Sequence, residues 1–294
     1  MRPYEVICPD TTQLERAEWL KLRREGIGSS DAAATMEMSP WTSSYALWCD
    51  KRGLLPESVD TDRFWWGRTL EPIILGRWSE QTGRKITARS IMLRSIEHPF
   101  MLCNPDGMVA DGVVEVKTAS SWAEAAWDGT LPDNYALQGA HACAVTGMRR
   151  CYFPVLSDLG RGVVEYSVDY DEATIAALIS AETEFWRRVT ENDPPDPDGS
   201  ESARQAILAQ MERVEKGAVV ELPDEAEKWI DGWQHYKGLA DSAERMSESF
   251  KQKLMLELRE AEVGMLGGAV RVTYRADKNG RRTMRPHNKK EVAV

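Results

Sequence analysis

The sequence lacks a long apolar run, since none approaches the ~20 residues that a membrane-spanning helix needs. Its first ten residues, Met1 to Asp10, also lack the apolar core of a secretory signal. Apolar residues make up 42% of the 294 residues and charged residues 29%, which is ordinary for a globular protein that can bury a full core. We therefore expect a cytoplasmic protein with no membrane segment.

Clustered cysteines are absent as well. The five cysteines form no Cys-x-x-Cys pair and have no histidine at zinc-finger spacing; they are Cys8, Cys49, Cys103, Cys143 and Cys151. Disulfide frameworks, zinc sites and iron–sulfur clusters all need grouped thiols. We expect reduced, mostly buried thiols.

Positive charge is scarce: the net charge is −10 and the isoelectric point is near 5.1. This balance is unusual for a protein that binds nucleic acid, because Lys and Arg provide most of the attraction to phosphates. It does not exclude such a protein. A local basic groove in an acidic surface would direct DNA to one place, and bound metal ions would offset some carboxylates.

The apolar periodicity changes along the chain, with helices first, then strands, then helices and strands again. This order predicts an α/β fold. Proline at position 72 would cost roughly 3 kcal/mol inside a helix, so the helix there either begins near Leu70 or kinks. The predicted helices are 12–26, 30–34, 43–52, 64–82, 134–145 and 171–190, and the predicted strands are 85–93, 100–103, 113–118, 150–156 and 162–168.

A proline-rich acidic segment, 193–201, cannot continue a helix and has too few apolar residues for a core. We predict that it links a domain of residues 1–192 to a helical extension of residues 202–265. The extension should contain two helices, 203–216 and 224–261, although no strict heptad is sustained.

The last part, 266–294, predicts a β-hairpin around the turn Asp277 to Gly280. It carries the clearest basic patch of the chain: Arg271, Arg275, Lys278, Arg281, Arg282, Arg285, Lys289 and Lys290. This patch predicts a DNA clamp, an oligomerisation arm or a docking site for a partner protein. An ordinary solvated hairpin would have the same composition.

The segment Asn104 to Lys117 contains the residues with a chemical signature. Asp106 lies in a Pro-Asp-Gly turn, and Glu115 and Lys117 lie two residues apart on the next predicted strand. Alternation along a strand puts these two side chains on one face, roughly 6.6 Å apart. Carboxylates that hold Mg²⁺, with a lysine beside them, are suited to phosphodiester hydrolysis. Taken alone, the segment also fits a common turn followed by an edge strand.

Two flanking motifs favour the interpretation as a site of phosphodiester hydrolysis. A Gly-x-x-x-Glu motif ends at Glu71 on an upstream helix, and Gln138 lies on a downstream helix. In this order the motifs resemble those of the lambda-exonuclease and YqaJ-like viral recombinase nucleases, over roughly residues 12 to 192. The resemblance implies a PD-(D/E)XK restriction-endonuclease-like core, a central mixed sheet flanked by helices, with the C-terminal helical extension and terminal β-hairpin added to it.

The resemblance also implies roles for individual residues. The predicted catalytic residues are Glu71, Asp106, Glu115, Lys117 and Gln138, and the predicted metal-site residues are Glu71, Asp106, Glu115 and Val116. The stretch Trp19 to Asp31 matches the start of the family, so Arg23 and Ser30 are expected to bind the 5′-phosphate. Ser30 also fits a helix N-cap, where a nearby arginine favours phosphate. Many relatives have a second glutamine where this chain has Ala140.

The implied function is a Mg²⁺-dependent 5′-to-3′ exonuclease that acts on linear double-stranded DNA ends in recombination by single-strand annealing. Two ions are expected, and Mn²⁺ is an alternative metal. The implied partners are DNA ends and a single-strand annealing protein, and the family allows a homo-oligomer that encircles DNA. Two alternatives stay open: an endonuclease or branch-processing nuclease on the same core, and a DNA-binding or assembly module without catalysis.

Overall fold

The computed structural model describes residues 2–56, 61–158, 160–211 and 216–287. Contacts divide the chain into two compact units, Met1–Val214 and Glu215–Val294. Within the described residues, no helix combines the length and apolarity that crossing a bilayer requires.

The first unit alternates helices and strands, as the periodicity predicted. Its α-helices are α1 (Arg16–Arg24), α2 (Ala32–Thr35), α3 (Ser44–Lys51), α4 (Asp62–Thr82), α5 (Ser121–Ala125), α6 (Asp133–Thr146), α7 (Glu172–Glu191) and α8 (Glu201–Ala209). Its strands are β1 (Tyr4–Cys8), β2 (Ile27–Gly28), β3 (Met92–Ser95), β4 (Met101–Cys103), β5 (Gly107–Val109), β6 (Gly112–Val114), β7 (Lys117–Thr118), β8 (Arg150–Asp158) and β9 (Gly162–Asp169).

These strands form two sheets. The first has the order β1-β3-β4-β2, and the second has the order β5-β6-β8-β7 with β9 paired to β8. β6 and β7 run parallel to β8, whereas β9 runs antiparallel to it, so the second sheet is mixed. The predicted α/β class with a central mixed sheet is confirmed. The strand β1 was not predicted.

Capping residues fix several helix ends. Ser43 and Asp171 accept hydrogen bonds from the backbone amides of Ala46 and Thr174, which begins α3 and α7. Gly83 and Gly147 end α4 and α6 in the left-handed conformation, with φ of 70° and 72°. The first helix begins after Glu15 rather than at Thr12, because Glu15 and Glu18 form the capping box and Thr12 lies in a short 3-10 turn.

Helix α4 continues through Pro72, so it does not start near Leu70. The N-terminal half of α4 is largely exposed, whereas Ile74, Leu75 and Trp78 are buried in the half that follows. Burial of this second half supplies the packing that offsets the proline. The predicted strand 85–93 is also shifted: the strand is Met92–Ser95, and upstream of it Ala88 forms only an isolated bridge with Met108.

Strand β8 and helix α6 form the centre of the first unit. Cys151, Phe153 and Val155 of β8 are fully buried in the largest apolar cluster, together with Ala140 of α6. Gly139 lets α6 approach β8, because a Cβ atom there would lie 2.7 Å from Phe153 and 2.6 Å from the Tyr170 hydroxyl. The helix that carries Gln138 is therefore held against the sheet. All five cysteines are buried and free, as predicted.

The proline-rich segment precedes α8, which packs against α3 in the first unit. Ser202 Oγ accepts a hydrogen bond from the Ser43 amide at 3.1 Å, and Ala206 is buried in a cluster with Leu47 and Trp48. The contacts therefore place α8 in the first unit, which ends at Val214. The predicted linker 193–201 would instead assign α8 to the helical extension.

In its described residues, the second unit contains one long helix and three strands. They are α9 (Ala226–Leu258), β10 (Val263–Leu266), β11 (Ala269–Ala276) and β12 (Arg282–Pro286). β11 and β12 form the predicted hairpin, and β10 adds a third strand on the other edge of β11. The Arg282 guanidinium donates to the carbonyls of Arg259 and Ala261 at 2.8 and 2.6 Å, so this member of the basic patch stabilises the fold. Lys289 and Lys290 lie outside the described residues.

Candidate active site

Asp106 begins the site in the turn between β4 and β5. Its Oδ2 atom accepts a hydrogen bond from the Val116 amide at 2.7 Å. The predicted strand 113–118 is interrupted at this point, since β6 ends at Val114 and β7 begins at Lys117. The Asp106 carboxylate thus joins the turn to the gap between two strands.

A proline on the neighbouring strand contributes to this interruption. Val114 pairs with Tyr152 and Lys117 pairs with Val155, so the same register puts Pro154 opposite Val116. Proline has no N–H to donate to the ladder, and it is rare inside a sheet for that reason. The Glu115 amide still donates to the Tyr152 carbonyl, so the bond that Pro154 cannot make is one to the Glu115 carbonyl. The Val116 amide faces away from β8, where Asp106 accepts its hydrogen bond. The Val116 side chain packs on the opposite face with Leu75 and Trp78, so only its backbone can take part in the site.

Glu115 and Lys117 point to the same side of the strand, as alternation predicted. The Lys117 Nζ atom lies 3.3 Å from Glu115 Oε2. Gln138 of α6 also donates through Nε2 to Glu115 Oε2. The Glu115 Oε1 atom is buried and has no hydrogen-bond partner among the described residues. One oxygen of this carboxylate is therefore fixed by two donors, and the other is left available.

Burial and mutual repulsion raise the pKa values of the carboxyl groups. Burial is the largest cause for Glu71 of α4, whose pKa rises to about 8, and Asp106 raises it further against Lys117 and Arg89. Glu115 also has a pKa of about 8, from burial and from Asp106 and Glu71, against Lys117. Burial raises the pKa of Asp106, although Lys117 and the Val116 amide oppose the shift. The three carboxyl groups thus interact as one acidic site.

Lys117 supplies a positive charge to this site. Burial alone would lower its pKa, but the charges of Glu115 and Asp106 outweigh burial and raise it. Its Nζ atom also lies 5.4 Å from the centre of the Tyr135 ring, within the range of a cation–π contact. Three carboxyl groups therefore face the Lys117 ammonium and, at Glu71, the Arg89 guanidinium, which still leaves an excess of negative charge when all are ionised.

This excess fits a hard divalent cation. Oxygen ligands from carboxylates are what Mg²⁺ prefers, and the Glu115 Oε1 atom offers an unpaired buried oxygen. Among the described residues, no three His, Cys, Asp or Glu side chains already lie close enough together to enclose an ion. The donors thus match the chemistry of a Mg²⁺ site that is open and needs ligands from water or substrate.

The residues predicted for the 5′-phosphate lie together near the start of the first unit. The Arg23 Nη2 atom donates to Ser30 Oγ at 3.0 Å and to Asp31 Oδ1 at 2.7 Å. Ser30 does not cap a helix with its side chain, since it lies inside the 3-10 turn Ser29–Asp31. The turn packs against β4 and α6, the elements that lead to Asp106 and carry Gln138.

A buried lysine completes this second cluster. The Lys51 side chain is fully buried, and its Nζ atom lies 2.6 Å from Asp31 Oδ2 and 3.0 Å from the Arg23 carbonyl. Burial would raise the pKa of Asp31, but Lys51 and Arg23 outweigh it and hold that pKa well below its usual range. With Arg23 and Lys51 both charged, the cluster has a net charge of about +1 despite Asp31.

The structure brings the predicted residues together in two sets. Glu71, Asp106, Glu115, Lys117 and Gln138 interact in one set, and Arg23 and Ser30 touch in the other. Asp31, Lys51 and Arg89 were missed by the sequence reasoning. Asp31 follows Ser30 in the motif that indicated the phosphate pocket, so its charge next to that pocket was a signal available in the sequence. Lys51 and Arg89 carry no local signal, because only the fold brings them to these sets.

The fold and this site define the chain as an α/β protein with a PD-(D/E)XK-like fold. Two solved structures of an alkaline exonuclease from Laribacter hongkongensis, one free and one in complex with dAMP, have the same fold, with TM-scores of 0.52 and 0.53. Each match has 22% identity and covers 60% of this chain and 94% of that chain.

Two further matches bear on the family that the motifs resemble. Residues 18–149 match the YqaJ-like viral recombinase domain. The uncharacterized protein YqaJ of Bacillus subtilis (strain 168) is 28% identical over 270 residues, which cover 90% of this chain and 84% of that protein. The resemblance to YqaJ-like viral recombinases is thereby confirmed, and the matched span contains all the predicted site residues.

Proposed function

We propose that this chain is a metal-dependent exonuclease that degrades linear double-stranded DNA from 5′ ends and acts in recombination by single-strand annealing. The matched recombinase domain and the fold shared with an alkaline exonuclease support a nuclease of this kind. The 5′-to-3′ polarity and the use of Mg²⁺ rest on the family resemblance and on the site chemistry.

The arrangement around Glu115 is the observation that carries the proposal. Lys117 and Gln138 both donate to Oε2, so Oε1 is the oxygen left for another ligand. A buried carboxylate oxygen without a donor costs free energy unless a cation or water satisfies it. Fixing one oxygen and leaving the other free is the arrangement expected of a metal ligand oriented by its neighbours.

Glu71, Asp106 and Glu115, with the backbone of Val116, would hold the metal ions. Bound Mg²⁺ would activate water and stabilise the negative charge that develops on phosphorus. The Lys117 ammonium would donate to a phosphate oxygen or to the attacking water beside the carboxylates. Gln138 would keep the Glu115 carboxylate in its orientation, since its amide already contacts Oε2.

Arg23 and Ser30 would bind the terminal phosphate. Guanidinium and hydroxyl donors suit a phosphate oxygen, and the Arg23–Asp31–Lys51 cluster retains a net positive charge. A pocket for a terminal phosphate would make cleavage depend on a 5′-phosphorylated end. The same resemblance supports a single-strand annealing protein as partner, a homo-oligomer around DNA, and a cytoplasmic location with the DNA.

The test incubates purified protein with linear, nicked and covalently closed circular duplexes, in Mg²⁺ or in Ca²⁺. Linear duplexes are labelled at one end and carry either a 5′-phosphate or a 5′-hydroxyl. We expect Mg²⁺-dependent degradation of linear duplexes only, faster from phosphorylated ends. Lys117→Ala should lower the rate at least ~100-fold, as removal of a charge-stabilising donor does. Lys85→Ala, which changes an exposed lysine, serves as the matched control.

Different results would support the other readings. Equal attack on closed circles would indicate an endonuclease, and preference for nicked or forked duplexes would indicate a branch-processing enzyme. Binding without cleavage in every metal would indicate a DNA-binding module. Activity that survives Lys117→Ala would contradict the proposed site itself.

A further inference from the structure

A cleft of about 530 Å³ opens beside the candidate active site, at the end of β7. It is lined by Thr118 and Ser120, which follow Lys117 along the chain, and by Trp41, Arg63, Trp127 and Tyr135. The Tyr135 ring also contacts the Lys117 ammonium, at 5.4 Å. A ligand in this cleft would therefore lie next to the catalytic lysine.

The charge of this cleft differs from that of the chain. The whole sequence has a net charge of −10, with 47 acidic residues. None of the residues that line the cleft, in the part of the chain that the structure describes, is acidic, and Arg63 is a cation among them. The Arg63 guanidinium lies 4.7 Å from the centre of the Trp41 ring. A lining with one cation and no carboxylates favours an anionic ligand.

The aromatic side chains that line the cleft differ in how tightly they are packed. Trp127 packs edge-on against Tyr135 and Tyr166, at ring distances of 5.8 and 5.7 Å, so it forms a fixed wall. Trp41 is 60% exposed and belongs to none of the buried clusters of the described residues. The fold therefore does not need its indole ring for the core. An exposed ring beside a guanidinium is a surface on which a planar ring can stack.

The ligand that combines negative charge with planar rings is a nucleic-acid strand. A volume of about 530 Å³ matches a ligand of drug size, which corresponds to about one or two nucleotides rather than a base-paired duplex. A base can stack on a protein ring only when it is unpaired from the opposite strand. The ligand is thus a single strand, in the position that a strand separated next to the cut would occupy.

We propose that this cleft is a single-strand subsite in which an unpaired base stacks on Trp41 and a neighbouring phosphate pairs with Arg63. The inference rests on the proposed function, because it takes DNA as the substrate and Lys117 as the position of the chemistry. It adds to that function a binding mode for the unpaired strand. Stacking accepts every base, so the subsite suits an enzyme that degrades DNA without regard to sequence.

The test measures binding of a labelled oligothymidylate of about ten nucleotides by fluorescence anisotropy, in Ca²⁺. Wild type is compared with Trp41→Ala, Trp41→Phe and Trp122→Ala. Trp122 is 82% exposed and does not line the cleft, so it is the matched control. Trp41→Ala should weaken binding about 5- to 150-fold, the range expected for one stacked base. Trp41→Phe should lose less affinity, and Trp122→Ala should bind as wild type does.

An abasic oligonucleotide of the same length separates stacking from charge. Since it has phosphates but no bases, its affinity should be the same for wild type and Trp41→Ala. Arg63→Ala should weaken binding of both oligonucleotides. The inference is overturned when Trp41→Ala binds oligothymidylate as tightly as wild type does. It is also overturned when Trp41→Ala loses the same factor of affinity for the abasic strand as for oligothymidylate.

The cleavage assay distinguishes failure of the subsite from failure of the proposed function. Wild type that degrades linear duplexes, while Trp41→Ala binds both oligonucleotides normally, overturns the subsite alone. Wild type that cuts no DNA, but binds single strands in a Trp41-dependent way, overturns the nuclease and supports the subsite.

Discussion

The Asp106 carboxylate accepts the Val116 amide at 2.7 Å and so connects the turn after β4 to the gap between β6 and β7. The Asp106 side chain therefore has a structural role in this hydrogen bond, and the same carboxylate is also a predicted metal ligand. Its structural and chemical contributions can be separated by substitution.

Asp106→Asn keeps an oxygen that can accept the Val116 amide, whereas Asp106→Ala removes it. Both variants should lose DNA cleavage, since neither has the carboxylate. Asp106→Ala should be less stable than Asp106→Asn by about 1–3 kcal/mol, the cost of a buried donor without a partner. Urea unfolding of the two proteins measures the difference, and equal stabilities would show that the bond does not support the strand gap.

The raised carboxyl pKa values predict how stability changes with pH when no metal is present. Glu71 and Glu115 have pKa values of about 8 in the folded state, above the ~4.3 of a free glutamate. Between these values the folded state binds more protons than the unfolded state. These groups therefore lower the free energy of unfolding as the pH rises from about 5 to 8.

Thermal unfolding in chelator at several pH values checks this slope. Glu115→Gln removes one of the titrating groups, so its melting temperature should fall less steeply with pH than that of wild type. Added Mg²⁺ should stabilise wild type more at pH 8 than at lower pH, because fewer protons then compete with the ion for the carboxylates. Parallel pH profiles for the two proteins would contradict the assignment.

Gln138→Ala should weaken the metal site without unfolding the protein. The substitution leaves Glu115 Oε2 with Lys117 alone, so the carboxylate is less firmly oriented. Removal of such a neighbour typically costs about 10–100-fold in metal affinity or activity. Titration of cleavage rate against Mg²⁺ measures the change, and Gln205→Ala, on the exposed face of α8, is the control. An unchanged Mg²⁺ dependence would contradict this role.

Asp31→Ala should destabilise the first unit by about 3–5 kcal/mol, because it leaves the fully buried Lys51 ammonium without its partner. The double variant Asp31→Asn with Lys51→Met should lose less free energy of unfolding, since it leaves no buried ammonium without a partner. Asp31 has a lowered pKa, so its contribution is present above the ~3.9 of a free aspartate and is lost as the pH falls. Urea unfolding at pH 7 and pH 3 measures both effects. A larger loss in the double variant would contradict the pairing.

Two truncations test where the first unit ends. A chain that stops after Met211 keeps α8, whereas one that stops after Asp198 uncovers Leu47 and Trp48 of α3. The longer fragment should unfold cooperatively with higher stability and retain cleavage. Equal stability of the two fragments would place the boundary at the predicted linker. Reduced DNA affinity or processivity in the longer fragment would support a role for the basic hairpin.

The sequence alone determined the features that depend on local spacing. Alternation along a strand put Glu115 and Lys117 on one face, and in the structure the Lys117 Nζ atom lies 3.3 Å from Glu115 Oε2. The order of helical and strand periods predicted the α/β fold, and the motif resemblance implied its mixed sheet. Capping residues such as Ser43 and Gly147 marked helix ends. In each case the physical cause acts between residues that are close along the chain.

Only the tertiary structure decided the features that join distant segments. Pro154 lies opposite Val116 and contributes to the strand gap, although 38 residues separate them along the sequence. Lys51 reaches Asp31 from the next helix but one, and Trp41 and Arg63 meet the end of β7 in a cleft. Packing of the whole unit sets these contacts, along with the burial that raises the carboxyl pKa values. A single sequence therefore indicates the acidic residues of the candidate site, whereas the fold decides which Glu115 oxygen is left without a hydrogen-bond donor.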